Sequence, residues 1–467
     1  LVRLINMCEN EDDIITVGKY VIIKKLSFKK IYKVTMNGTL MLGKDTVQMH
    51  EIIGKPFWTT FEMVQVKGGK RTYSLKEVVE TESLNDLLSE LPSGSDNRSI
   101  IDDGTSQKLS KEQILQLQES GKSGKEIVGS LIENNKSFLE RTEYSQEKYL
   151  KKKEQKYLKY ITIWKPSINL LHDIYFKQDH KKIGNLRMDS LAQLLSYSDV
   201  QSDGLYILYD SGSHGLPAAA MLNRIGSNTM GHLINLHPGN KPQVTLINAM
   251  NFPKEQSDRL LNVNIYSFLR LYYQGASAVL DQISKKAYHD NINNEEKNLD
   301  NDESNDKTKH STDMKETNSD IVNELNEDVK HSTNGSLKRK LNESDKCNSA
   351  KLTPVKKPKW LSKTQEAVDL VNGSKARGLA IIAREHPLNI IMALLPFLGP
   401  SRPFVIYHVH REPLLETYMT LKHKQNVINL KLFSNFLRSY QVLPDRTHPD
   451  ILTSDTGGYL LSGYLVQ

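Results

Sequence analysis

Between residues 14 and 78 short β-branched and aromatic runs, VGKYVIIKK, KKIYKVTM and TTFEMVQV, alternate with turn signals at Asn37-Gly38 and Gly68-Gly69. That pattern predicts strands joined by tight hairpins, and so a small β-barrel or curled sheet. From 79 to 108 the chain turns polar, and DNRSIIDDGTSQ (96–107) reads as a loop. Leu109 to Tyr160 has helical composition, opened by a capping-box pair of Ser110 and Gln113 before ILQL.

From Leu205 the texture changes. Apolar runs LYILYD, HLINL, VTLINAM, GLAIIA and RPFVIYHVH alternate with helical patterns, and VINLKLF and YLLSGYLV follow. Such alternation predicts an α/β fold with a mostly parallel sheet covered on both faces, closed by an antiparallel pair. Between His289 and Lys359 there is no Phe, Trp or Tyr. That stretch buries too little apolar surface to fold and reads as a disordered insertion. Within it, KRK (338–340) and VKKPK (355–359) match the two halves of a nuclear-import signal or, equally, a solvated basic patch.

At 38% apolar, 467 residues suffice for two or three domains with a proper core. Cys8 and Cys347 are too few for a disulfide framework or a zinc site, which points to a reduced, intracellular protein. The longest apolar run, IIMALLPFLG from Ile390, has ten residues and a proline. A membrane span needs about 20, so no membrane partner is expected. The first methionine is Met7, without a secretory pattern before it, so LVRLIN is expected to precede the true start.

The stretch YILYDSGSHGLPAAAM (206–221) has the order of an S-adenosylmethionine site: strand, carboxylate, glycine turn, helix. It keeps one of the three alternate glycines that methyltransferases use. His214 and Leu216 stand at the other two places, where side chains crowd the ligand. The next strand ends in His237 rather than the acid that holds ribose hydroxyls, and GLAIIAREHP supplies Arg384 where adenine methylation calls for a carboxylate. A cation there suits phosphate. A rival reading makes Ser213 a hydrolase nucleophile completed by Asp445 and His448, although Ser211 stands where the elbow wants glycine.

The chain's formal charge is +7, and residues 141–165 carry eight basic and three acidic side chains. On a helix Lys148, Lys152, Lys156 and Lys159 would line one face, beside a stripe of Tyr149, Tyr157 and Tyr160. The stripe serves a polyanion, or it is a solvated face with tyrosines in the core. His408, His410, His423 and His448 lack metal-ligand spacing.

LIENNKSFLERTEYSQEKYLKKKEQKY, SRPFVIYHVHREPLLETY and NFLRSYQVLPDRTHPDILTSDTGGYLLSG resemble the family of non-catalytic subunits of the eukaryotic tRNA (adenine-58-N1)-methyltransferase. The resemblance runs from about Val17 to Tyr464 and fails only in the insertion. It implies a degenerate Rossmann-like methyltransferase domain over 166–467, interrupted at about 289–359. Before it stand an N-terminal β-barrel over 7–80 and a polar loop with a basic helical connector over 81–165. It also implies a nuclear protein without catalytic residues, metal or cofactor of its own. Its partners would be tRNA and a catalytic subunit of similar fold that binds S-adenosylmethionine, two copies of each forming a heterotetramer. The other reading is a methyltransferase with its own unusual donor pocket.

The residues implied to face tRNA fall in six places. Asn97, Arg98, Asp102 and Gln107 lie in the polar loop, and Lys148, Lys151, Lys152, Lys153, Lys156 and Tyr157 on the basic helix. Lys181, Lys182 and Asn185 form a turn, and Arg384 stands alone. Lys422, Lys424 and Asn429 precede a last segment with Gln441, Pro444, Asp445, Arg446 and His448. Glu154 and Gln155 interrupt the family's lysine run, and the 178–185 turn lacks its usual proline. Arg98, Lys182, Arg384 and Arg446 suit phosphate contacts that fix register without reading sequence.

Overall fold

The computed structural model describes residues 13–66, 71–79, 94, 106–119, 124–280, 359–442, 447–451 and 457–466. LVRLIN, nearly all of the expected insertion with its basic clusters, and Asn97, Arg98, Asp102, Pro444, Asp445 and Arg446 lie outside these residues. The chain divides into two units, residues 1–268 with 366–467, and residues 269–365. In the second, residues 269–280 and 359–365 are helical.

The first unit contains two seven-stranded sheets. One is built from β1 (Tyr20–Lys25), β2 (Phe28–Lys33), β3 (Thr39–Leu42), β4 (Asp45–Gln48), β5 (Thr60–Gln65), β6 (Thr72–Val78) and β7 (Tyr160–Trp164). Its order is β2-β1-β7-β5-β6-β4-β3. Alternate residues Val21, Ile23, Phe61, Met63, Ile161 and Ile163 point into one core, as a half-buried sheet requires. β5–β6 is the hairpin expected around Gly68-Gly69, whereas β1–β2 and β3–β4 are hairpins that turn at Leu26-Ser27 and Gly43-Lys44, where none was expected.

Asn37-Gly38 departs from expectation, because it joins β2 to β3, the two edge strands. The edges approach each other, with Lys30 Nζ 3.2 Å from the Met41 carbonyl, so the sheet curls nearly closed. Gly38 leaves room there: a Cβ would fall 1.7 Å from the Tyr32 hydroxyl and displace that ring.

A second departure is β7. The expected connector over 81–165 ends inside the barrel, where β7 pairs with both β1 and β5. YITIW alternates half-buried and buried residues, a period of two hidden at the end of a long helical composition.

The connector holds α1 (Lys111–Glu119), α2 (Gly124–Glu133) and α3 (Glu143–Tyr157). Ser110 and Gln113 exchange the two capping-box bonds, at 2.9 and 3.2 Å. Ile127, Val128, Leu131, Phe138, Leu150 and Tyr157 form its core.

The other sheet comprises β8 (Leu205–Asp210), β9 (His232–His237), β10 (Leu260–Asn264), β11 (Gly378–Ile382), β12 (Pro403–His408), β13 (Val427–Phe433) and β16 (Tyr459–Leu465). Its order is β10-β9-β8-β11-β12-β16-β13. The first five strands are parallel, and β16 and β13 close the sheet antiparallel, as expected. Helices α4 (Ile168–Asp179), α5 (Met188–Tyr197), α6 (Leu216–Ile225) and α7 (Glu412–Lys424) flank it. VTLINAM is not a strand: Thr245–Ala249 is a short helix, and the third parallel strand is LLNVN. A five-residue apolar run fits either period, and here the Leu246, Ile247 and Ala249 triplet buries one helical face.

Strand order reverses between β8 and β11, each leading its neighbours to opposite edges. In open α/β sheets ligands bind in the crevice beyond the carboxyl ends of strands at such a switch point.

Candidate nucleic-acid interface

All six residues of β8 are buried, and the last gives its carboxylate to the turn that follows. Asp210 Oδ1 accepts the N–H groups of Gly212 and Ser213, each at 3.0 Å, and Oδ2 accepts the Ser213 hydroxyl at 2.5 Å. Burial raises the Asp210 pKa, and these three bonds oppose the shift. The donors that would greet a ligand are thus satisfied internally.

His214 takes a left-handed φ of 55°, uncommon for a residue with a β-carbon. Its N–H is held by Gln243 Oε1 at 2.9 Å, and its ring packs on Tyr175 with centroids 5.7 Å apart. Burial, then repulsion from Lys182 and Arg384, lowers its pKa. Leu216, the other residue expected to crowd the pocket, is fully buried in the core.

The larger obstruction is Arg384, just after β11. Its Nη2 donates to the carbonyls of Gly212 and Lys181, and its own N–H donates to Ser211 Oγ at 2.8 Å. The guanidinium therefore bridges the glycine turn and the turn His180–Ile183 across the switch-point crevice. A Cβ on Gly212 would sit 2.9 Å from Arg384 Cζ. Beside it, Glu385 accepts the Tyr209 hydroxyl. Burial alone would raise Glu385, but that bond and Ser211 hold it below its ordinary pKa.

These residues do not fit S-adenosylmethionine. The donor is a sulfonium cation, and Arg384 and Lys182 repel positive charge at short range. The ribose position carries His237, 7% exposed, with a pKa lowered by burial. The hydrolase reading fails as well: Ser213 is fully buried with its hydroxyl committed to Asp210, while His448 lies exposed on a two-stranded ribbon.

Among the expected tRNA-facing residues, the structure joins the 181–185 turn to Arg384 and pairs Gln441 with His448, and it places the others on separate elements. Lys181 and Lys182 are exposed on the turn that Arg384 grips, and Asn185 (φ 54°) ends it. Lys422 and Lys424 are exposed in the last turn of α7. Asn429 (φ 53°) lies in the irregular register of β13, between Ile428 and Lys431. Gln441 and His448 are paired across β14 (Tyr440–Gln441) and β15 (His448–Pro449). On α3, Lys148, Lys151, Lys152 and Lys156 are exposed. Burial, then repulsion from Lys156 and Lys152, lowers the pKa of half-buried Lys153.

Two members of the expected stripe and one residue of the expected loop are placed differently. Tyr157 is 8% exposed and belongs to the connector core. Lys159 lies beyond α3 and donates to the Tyr73 hydroxyl of the barrel. Gln107 is tied internally, its Nε2 on the Leu131 carbonyl at 2.9 Å.

One basic element went unread in the sequence. Residues 14–44 contain seven lysines and no Asp or Glu, a local charge equal to the whole chain's +7. Its β-pattern drew attention to strands, yet a running charge count marks it at once.

A methyltransferase-type sheet joined to a small curled barrel, its switch-point crevice bridged by Arg384 beside exposed Lys181 and Lys182, defines a methyltransferase-fold protein. The chain belongs to the Gcd10p family, whose model matches residues 14–317. It is 33% identical over 470 residues to the tRNA (adenine(58)-N(1))-methyltransferase non-catalytic subunit of Mus musculus, covering 96% of this chain and 88% of that protein. The subunit of the same name from Dictyostelium discoideum is 27% identical over 467 residues, covering 97% and 79%. Among solved structures, a SAM-dependent O-methyltransferase from Thermotoga maritima is 10% identical with a TM-score of 0.46, covering 98% of this chain and 97% of that one.

Proposed function

We propose that this chain is the non-catalytic, tRNA-binding subunit of a tRNA (adenine-58-N1)-methyltransferase, and that a catalytic partner of similar fold holds S-adenosylmethionine. The observation that carries the reading is the Arg384 guanidinium bridging Gly212 and Lys181 where the donor would lie. The names of the mouse and slime-mould relatives support it.

In this reading, two copies of each subunit assemble in the nucleus. The exposed lysines of α3, the Lys181–Lys182 turn and Arg384 hold tRNA phosphates. Folded tRNA is recognised by shape, backbone contacts and unstacked loop bases. Positioning by this subunit lets the T-loop adenine leave its stack and enter the partner's pocket.

The test is a titration of the purified complex with S-adenosylmethionine. One donor per catalytic chain, with methylation lost when this subunit is omitted, is the expected result. A second donor bound to this chain overturns the reading.

A further inference from the structure

On the barrel face away from its own core, strand register sets two adjacent rows of side chains, the first of which packs into the methyltransferase-type core through buried Ile22 and partly buried Trp164. Ile22 faces Trp164 across β1 and β7, and Trp58, just before β5, lies beside Trp164 with ring centroids 5.5 Å apart. In the next row Lys29, Lys24, Thr162 and Thr60 follow one another across β2, β1, β7 and β5. One row is aromatic toward β5; the other carries ammonium and hydroxyl groups.

Both rows break local rules of sheet stability. Lys24 and Lys29 are directly opposed, and like charges in that position repel. Lys29 is relieved by Asp173 at 2.7 Å. Lys24 has no carboxylate partner among the described residues, and its ammonium rests over Trp164 at 4.5 Å from the ring centroid. Glu62, on the same face of β5, stands opposite Lys76.

Trp58 is the stronger anomaly. It adopts φ 74°, a region where a bulky side chain is a genuine outlier and glycine or asparagine is the ordinary choice. Its N–H is fixed to the Ile163 carbonyl at 2.6 Å, yet the side chain is 56% exposed. A strained backbone holding a large ring in solvent contributes little to folding. Outliers of this kind concentrate at binding sites.

We infer that Trp58 and Lys24 form a nucleotide-binding platform on the barrel, where an unstacked RNA base lies on the Trp58 ring and Lys24 takes the adjoining phosphate. The chemistry matches both halves of a nucleotide: bases stack on aromatic faces, and Lys24, held over the Trp164 ring that adjoins Trp58, neutralises the backbone. The lysine density of residues 14–44 supplies the field that brings the polyanion there. The inference rests on the tRNA-binding role above and adds a contact separate from the Arg384 crevice.

The experiment measures tRNA affinity and melting temperature for the complex of this chain with its catalytic partner, comparing wild type with Trp58→Gly, Trp58→Phe and Lys24→Ala. Stacking predicts that Trp58→Gly weakens tRNA binding roughly tenfold while Trp58→Phe retains most of it. Glycine at positive φ relieves backbone strain, so the melting temperature of Trp58→Gly should stay near that of wild type. Lys24→Ala should weaken binding and lower the salt dependence by about one counterion. Should Trp58→Gly not fold, quenching of wild-type tryptophan fluorescence by a T-arm RNA hairpin, absent in Trp58→Phe, decides the matter. Equal tRNA affinity in wild type and Trp58→Gly, or loss of the catalytic partner instead of RNA, overturns the platform. A wild-type complex that binds no tRNA overturns the parent reading instead.

Discussion

Arg384 Nη2 donates to the main-chain carbonyl of Gly212, 172 residues earlier in the chain. The bond joins the ends of β11 and β8, the two strands between which the sheet reverses order. Where related folds leave a crevice for a nucleotide, this chain has built a strut. The same side chain keeps Nε and Nη1 without hydrogen bonds among the described residues, so it can brace the turn and still meet a phosphate.

Replacing that strut should separate nucleic-acid binding from donor binding. Arg384→Ala removes a charged donor whose hydrogen bonds contribute about 1.5–3 kcal/mol, so tRNA affinity of the complex should fall about tenfold or more. Methylation at limiting tRNA should fall with it. Donor affinity should not change, because the donor lies in the partner. Filter binding of tRNA and calorimetric titration of S-adenosylmethionine check the two halves; an unchanged tRNA constant would contradict the first.

The basic helix offers a second separation. Lys148→Ala with Lys152→Ala should reduce the slope of log affinity against log salt by about two, one for each lost phosphate contact. Tyr157 should behave differently, since its ring is in the connector core. Tyr157→Phe should leave tRNA binding as it was, and Tyr157→Ala should cost about 3–5 kcal/mol of stability. A Tyr157→Phe complex with wild-type stability and weakened tRNA binding would return this tyrosine to the interface.

Much of this organisation was legible in the residues themselves. Gly212 alone in register, His237 in place of an acid and Arg384 in place of a carboxylate are identities, and identity survives folding. Alternation in β1 and β5 and the Ser110–Gln113 cap are local patterns, and they formed as read. What escaped depends on long-range pairing: β7 finds its partners more than 90 residues away in sequence, and Trp58 meets Trp164 only because β5 and β7 align. Tyr157 carries the same ring whether it faces solvent or core, and only the packing of α2 against α3 decides.

An acid-sensitive anchor lies at the start of α5. Arg187, 4% exposed, grips Asp189 through Nε–Oδ1 at 2.6 Å and Nη2–Oδ2 at 2.8 Å, and Nη2 also reaches the Asn435 carbonyl at 2.9 Å. Burial alone would raise Asp189, but the Arg187 bonds and charge hold it below the ordinary 3.8. A depressed folded value means that the unfolded chain binds the proton first. The pair's stabilisation is therefore complete above about pH 4 and disappears as pH falls through the lower folded value. Asp189→Asn removes the charge partner of a buried guanidinium and should cost about 3 kcal/mol near neutrality, with a flatter acid limb in melting temperature against pH. A parallel limb in the variant would place the acid sensitivity elsewhere.

One side chain, Asn251, clips the barrel to the methyltransferase-type sheet. Asn251 accepts the Tyr20 N–H on Oδ1 and donates Nδ2 to the Tyr20 carbonyl, both at 2.7 Å, so one side chain satisfies the main chain at the open end of β1. Asn251 takes φ 52°, which asparagine tolerates better than most residues. Glycine there keeps the backbone but removes the clip, leaving the Tyr20 groups to water. Asn251→Gly should therefore lower stability by about 1–3 kcal/mol, and it should quicken hydrogen exchange at the start of β1 while the amides of β8 and β11 stay protected. If protection fell equally in all three strands, the clip would belong to the global fold and not to the barrel's attachment.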